Sequence, residues 1–168
     1  MGVTASGKTT IGTRLAALEH WEYAEGDDYH SEANKAKMHA GIPLTDADRA
    51  PWLATLHEVL LGWHRSGTSG VLACSALRQS YRDELSKDIP HVELRFVLLE
   101  VPKEVLQQRM AERKGHYMSP ALLDSQIATL ETPRDAIRVA GDLPPDQVVQ
   151  EIMTAIRGDA LRATESHP

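Results

Sequence analysis

The chain is expected to fold as an α/β protein, a parallel sheet with helices on both faces. Two observations carry that expectation. Short apolar runs, Val71-Leu72-Ala73-Cys74 and Val92 to Leu99, alternate with segments of helical periodicity, the pattern of strands buried on both faces. A glycine-rich turn near the start also opens directly into a helix. The elements follow in order. Ile11, Leu15 and Leu18 recur at helical spacing and predict a helix over 8–19. A second helix is predicted over 51–65, with Pro51 at its first position, Trp52, Leu56, Val59, Leu60 and Trp63 as the buried stripe, and Gly67 beyond its end. The two apolar runs are strands, the second ended by Pro102. A helix from Lys103 to about Lys114 stops at Gly115. Ser119-Pro120 reads as the cap and first position of a helix over Ala121–Leu130. Ala136–Val139 is a strand candidate and Asp146–Ala163 a final amphipathic helix. No repeat, linker or low-complexity tract interrupts the series, so residues 1–168 are expected to form one domain.

Charge and composition narrow the class. Eighteen Lys plus Arg against 24 Asp plus Glu leave a net charge of −6, which argues against a non-specific partner that is itself polyanionic, nucleic acid or a membrane surface. A small anionic ligand in a local basic pocket remains compatible. The single cysteine, Cys74, permits no internal disulfide and fits a reducing cytoplasm; it is expected in the core rather than as a nucleophile.

Gly2-Val3-Thr4-Ala5-Ser6-Gly7-Lys8-Thr9 matches G-x-x-x-x-G-K-[ST] at every fixed position. Glycines let successive backbone N–H groups turn inward around phosphates, and the following helix adds the partial positive charge of its N-terminus. Lys8 is placed for the β- and γ-phosphates and Thr9 for Mg²⁺; Thr10 continues the ATP-binding stretch. Met1-Gly2 followed by Ser6 also fits a myristoylation pattern, but one glycine does not easily serve both roles and no polybasic stretch supplies a second membrane signal. A loop of this kind follows a buried strand. The first strand is therefore expected to be truncated in this chain, with its place in mid-sheet.

The rest of the sequence chooses among the functions such loops serve. A base-reading N-K-x-D motif is missing: Asn34-Lys35-Ala36-Lys37 ends in lysine and comes early. The internal strand ends at Cys74-Ser75 without the acid of an ATPase motor. A small phosphotransferase remains, with its second acid in Glu25-Gly26-Asp27-Asp28 just after the first helix.

Here the strings become specific. Gly26-Asp27-Asp28-Tyr29-His30, the segment from Gly41-Ile42-Pro43-Leu44-Thr45-Asp46 through Arg49-Ala50-Pro51-Trp52-Leu53, Ala73 to Asp83, Lys114-Gly115-His116-Tyr117, and Gln126 with Thr129-Leu130-Glu131 resemble the gluconate kinases, in family order over residues 1 to 131. The resemblance implies ATP-dependent phosphorylation of D-gluconate at its 6-hydroxyl, a P-loop fold like that of the nucleoside monophosphate kinases with a small lid around 109–120, and a cytoplasmic homodimer. Glu25 stands where the family usually has Asp, and Ser31 where it usually has Pro. A shikimate-like kinase of the same fold, or a nucleotide-binding protein impaired in catalysis, is the alternative.

Candidate roles follow from the chemistry. Phosphoryl transfer rests on positioning and charge stabilisation, which assigns Lys8 to the phosphates. Asp27 is the candidate carboxylate to orient the acceptor hydroxyl and take its proton. Glu25 is expected to hold Mg²⁺ through water, beside Thr9. A substrate carboxylate calls for a guanidinium: Arg49 is the first candidate and Arg78, just past a strand end, the second. Ser75, at that end, is placed for a sugar hydroxyl. Arg109 and Arg113 share a helix face; by resemblance Arg109 stacks on adenine and Arg113 reaches the β- and γ-phosphates. His116 is a further candidate contact to substrate.

Overall fold

The structure, a computed structural model, describes residues 1–112 and 120–165. In chain order the elements are α1 (Lys8–Glu19), β1 (Glu22–Glu25), a 3₁₀ turn (Gly26–Tyr29), α2 (Glu32–His39), α3 (Asp46–Ser66), β2 (Gly70–Ala73), α4 (Gln79–Ser86), β3 (Val97–Glu100), α5 (Lys103–Glu112), α6 (Pro120–Thr129), β4 (Ile137–Ala140) and α7 (Pro145–Glu165). Every strand pairing is parallel. β1 lies beside β2 with Glu22 opposite Gly70, and β3 beside β4 with Val97 opposite Ile137.

The two pairs do not touch each other directly. Met1 and Gly2 lie between them: the Leu99 N–H donates to the Met1 carbonyl at 3.0 Å, and the Gly2 N–H to the Ser75 carbonyl at 3.3 Å. The expected single sheet is therefore two parallel pairs bridged by two residues. This is the mid-sheet position that the sequence assigns to a strand ahead of the loop. Behind Met1 the pairs flank an apolar cavity of about 670 Å³, lined among others by Leu60, Trp63, Leu72, Phe96, Val97 and Ile152.

Three apolar clusters hold the elements. α1 and α7 pack against β3 and β4 through Ile11, Leu15, Leu99, Val139, Val148 and Ile152. α3 and α4 close on the end of β2 through Trp52, Leu56, Leu60, Cys74, Tyr81 and Leu85. The loop residues Val3 and Ala5 sit on Leu106 of α5 and Leu123 of α6. No helix among the described residues is long and apolar enough to cross a membrane.

Several sequence expectations shift. α3 begins at Asp46, not at Pro51, because Thr45 caps it: the Thr45 hydroxyl accepts from the Asp48 N–H while the Asp48 carboxylate accepts from the Thr45 N–H, a reciprocal box. Pro51 lies inside the helix, close enough to its start to be accommodated. The strand expected over Val92 to Leu99 is confined to β3; residues 91–93 form a turn and Val92 is 68% exposed. The short helices α2 and α4 were not anticipated, since neither carries a long apolar stripe. The expected helix stop at Gly115 lies outside the described residues, as does the centre of the expected lid.

Candidate active site

The glycine-rich loop turns tightly. Gly7 adopts φ +99°, a left-handed conformation natural to glycine, and hands the chain to α1. α1 has no side-chain cap at its N-terminus and no acid of its own in its first turn, so its first backbone N–H groups are not capped from within the helix. That is the arrangement a phosphate chain fits. From α6, the Gln126 side-chain oxygen accepts the Thr4 N–H at 2.7 Å and anchors the loop's outer turn. Lys8 Nζ donates to the Val3 carbonyl at 2.9 Å, folding its ammonium back over the loop. Arg109 also lies over the loop: its Nη1 donates to Ala5 O at 3.4 Å and its Nη2 to Gly141 O at 3.0 Å.

The acids converge on the same place. The Thr9 hydroxyl donates to Glu25 Oε2 at 2.7 Å, joining the first turn of α1 to the end of β1. Tyr23 donates to the same oxygen at 2.7 Å; burial and that carboxylate push its phenol well above the usual range. Glu25, longer by one methylene than the family's usual Asp, still reaches Thr9. Asp27 and Asp28 follow on the 3₁₀ turn, exposed, and neither carboxylate has a hydrogen bond or ion pair among the described residues.

That turn is held from below. The Gly26 carbonyl accepts from Trp52 Nε1 at 2.7 Å. A Cβ on Gly26 would stand 2.7 Å from the Ala73 carbonyl, so only glycine lets β1 and β2 end so close together. His30 stacks on Trp52 with ring centroids 4.3 Å apart. Its Nδ1 is buried without a partner among the described residues, and burial lowers its pKa, keeping the ring neutral. His30 entered the sequence reading only as part of a motif; its buried orphan nitrogen becomes visible only once Trp52 covers it.

Both arginines proposed for a carboxylate come together. Arg49, from the first turns of α3, and Arg78, just before α4, stand over the Tyr81 ring at 5.6 and 5.8 Å from its centroid. Asp46 lies between them, 2.8 Å from Arg78 Nη1 and 3.7 Å from Arg49 Nη1. The Tyr81 hydroxyl donates to Asp46, and that bond, with the two guanidiniums, holds the Asp46 carboxyl below the usual carboxylate range. The loop that carries Ser75 and Arg78 is stiffened by Arg82, fully buried and donating to the Ala76 and Leu77 carbonyls at 2.9 and 3.2 Å. Glu131 completes the support, its carboxylate accepting the Gln79 N–H at 2.6 Å and its N–H donating to Leu77 O at 2.8 Å. Gln126 and Glu131, to which the family strings alone assign no role, hold the loops around the candidate site. Cys74 is buried beside the site with its thiol pushed up to about 11, an inert core residue as expected. Arg113 and His116 lie outside the described residues.

Comparison with known proteins decides the family. A family described as an AAA domain matches residues 1–133. A gluconokinase of Gluconobacter oxydans is 47% identical over 156 residues, covering 91% of this chain and 86% of the relative. The thermosensitive gluconokinase of Escherichia coli is 43% identical, covering 98% and 91%. The chain belongs to the gluconokinase family. The crystal structure of a gluconokinase from Sinorhizobium meliloti superposes with a TM-score of 0.88 at 40% identity, over 99% of this chain and 95% of that one. An adenylylsulfate (APS) kinase from Mycobacterium tuberculosis and a shikimate kinase from Aquifex aeolicus, at 20% and 18% identity with TM-scores of 0.69 and 0.57, share the P-loop kinase fold alone. Glu25 and Asp27 lie at the carboxyl end of β1, with Thr9 bonded to Glu25, and Ser75 and Arg78 follow the carboxyl end of β2, with Arg78 paired to Asp46 of α3. This is where ligands of open α/β sheets bind.

Proposed function

We propose that this protein is a gluconokinase that transfers the γ-phosphoryl group of ATP to the 6-hydroxyl of D-gluconate. The observation that carries the reading is the pair of guanidiniums, Arg49 and Arg78, over one Tyr81 ring, in a chain that also has a phosphate loop and, after β1, an exposed Asp27 carboxylate without a partner among the described residues. A single substrate with a carboxylate at one end and a hydroxyl at the other fits that layout.

A bound nucleotide would supply the phosphoryl group, and Mg²⁺ would supply positive charge to offset that of the phosphates. Gly2 to Thr10 would wrap the phosphates, with Lys8 stabilising charge as it develops on the transferred group. Thr9 and Glu25, already joined at 2.7 Å, would hold the metal, Glu25 through metal-bound water. Arg109 would flank the nucleotide from α5, and Arg113 would complete the phosphate contacts. Asp27 orients the acceptor hydroxyl and takes its proton as the oxygen attacks. Ser75 and His116 would meet the substrate's hydroxyls. The reading extends to a cytoplasmic homodimer of single-domain chains without nucleic-acid or membrane partners, supported by the net charge of −6 and the family resemblance.

The test is a coupled ADP-release assay against D-gluconate, shikimate and nucleoside monophosphates. Turnover with gluconate alone is expected; preference for shikimate or a nucleotide would overturn the substrate assignment.

A further inference from the structure

We infer that Tyr81 is a positioning residue that joins Arg49 and Arg78 into one carboxylate clamp, with Asp46 tethering both guanidiniums by a single edge. The inference rests on the gluconate reading above and names residues that reading does not need. Arg49 and Asp46 belong to α3, Arg78 and Tyr81 to the start of α4, and their contacts span 32 positions of sequence or more.

The geometry has three parts. First, the Tyr81 ring underlies both guanidiniums, and a cation over an aromatic face is attracted by the ring's quadrupole. Second, the Tyr81 hydroxyl accepts from Arg49 Nη1 at 3.4 Å and donates to Asp46, which receives Arg78 Nη1 on its other oxygen at 2.8 Å. Arg49 Nη1 donates as well to the Leu44 carbonyl at 2.6 Å. Third, every hydrogen bond these two arginines make among the described residues runs through Nη1. Nη2 and Nε of each are therefore left for a ligand.

Charge agrees with this. Two guanidiniums and one carboxylate leave a single positive charge, matched by one substrate carboxylate. Tyr81 is itself buried against Trp52 and Leu85, so its ring cannot drift and the clamp inherits the rigidity of the α3–α4 core.

The test uses Tyr81→Phe, which keeps the ring and removes the hydroxyl, together with Arg78→Gln and the double variant. A hydrogen bond to a charged group is worth enough that KM for gluconate should rise roughly tenfold in Tyr81→Phe. KM for ATP should hold and kcat should change less than about threefold, the signature of lost ground-state binding. In the double variant the Tyr81 effect should shrink to about twofold or less, because it acts through the clamp. Equal losses for gluconate and ATP, or additive effects in the double variant, would reduce the cluster to a structural staple. An unchanged gluconate KM with a lowered melting temperature would do the same. If the parent enzyme does not turn over gluconate at all, the functional reading fails first. Parent turnover with an unaffected Tyr81→Phe sinks only the clamp.

Discussion

The two sides of the strand layer are built in opposite ways. On the rim at the carboxyl ends of β1 and β2, polar groups are tied by short bonds to partners on other elements: Thr9 to Glu25, Trp52 to Gly26, Arg82 to the loop after β2, Glu131 to α4. Behind Met1, between β2 and β3, the molecule is joined by only a few backbone bonds over an apolar cavity of about 670 Å³. The site is thus braced locally, by bonds that do not depend on a continuous sheet. The difference teaches that the candidate site is held mainly by polar bonds and the middle of the strand layer mainly by apolar contacts, and substitutions should separate the two.

The largest effect is expected at the rim. Lys8→Ala should lower kcat by roughly 10²–10³-fold, the usual cost of one lost electrostatic contact at the reacting group, with little change in melting temperature. Steady-state kinetics beside a thermal melt would check both halves; turnover within tenfold of the parent would remove Lys8 from its role. Asp27→Asn should lower kcat by about 10²-fold, at the lower end for general base catalysis, with a smaller rise in KM for gluconate. A rise in KM alone would reassign Asp27 to ground-state binding.

The cavity side should answer in stability. A variant carrying five apolar, β-branched residues ahead of Met1 can pair with the facing edges of β2 and β3 and fill the space between them. A gain of a few kcal/mol would raise the melting temperature by about 10 °C in a chain of this size. An unchanged melt would show that the cavity has closed by other means.

A pH-dependent effect also separates the two regions. In the chain beginning at Met1, burial, reinforced by the Lys8 ammonium, pushes the Met1 amine down from 8.0 to about 5. Between those values the unfolded chain binds the extra proton, so stability is full above pH 8 and falls as pH drops toward 5. The slope is at most about 1.4 kcal/mol per pH unit. Melts across that window should show it in the parent and lose it in the variant extended ahead of Met1, whose amine lies elsewhere.

Legibility followed the range of the interactions. The phosphate loop and α1 were readable because their geometry is local, set by glycines and by the residues immediately after them. The two-sided apolar character of β2 and β3 marked a parallel α/β layer, although Val92, in an exposed turn, was mistaken for strand. Pro51 was misread as a helix start because the stronger signal, the Thr45–Asp48 box, lay just upstream. α2 and α4 are not legible because eight-residue helices with one and three buried positions carry little periodicity; tertiary contacts, the Asn34 amide on the Asp48 carbonyl and Arg82 beneath its loop, hold them.

By itself the sequence determined the phosphate loop, the parallel α/β class, the family strings and the residue types able to do the chemistry, all properties of neighbours along the chain. Only the tertiary structure decided that Arg49 and Arg78 stand over the same Tyr81 ring, that Glu25 reaches Thr9 despite its extra methylene, and that Gln126 and Glu131 serve as braces. Those facts join positions from 16 to 122 residues apart, and spacing along a chain carries no distance across a fold until strands and helices have packed.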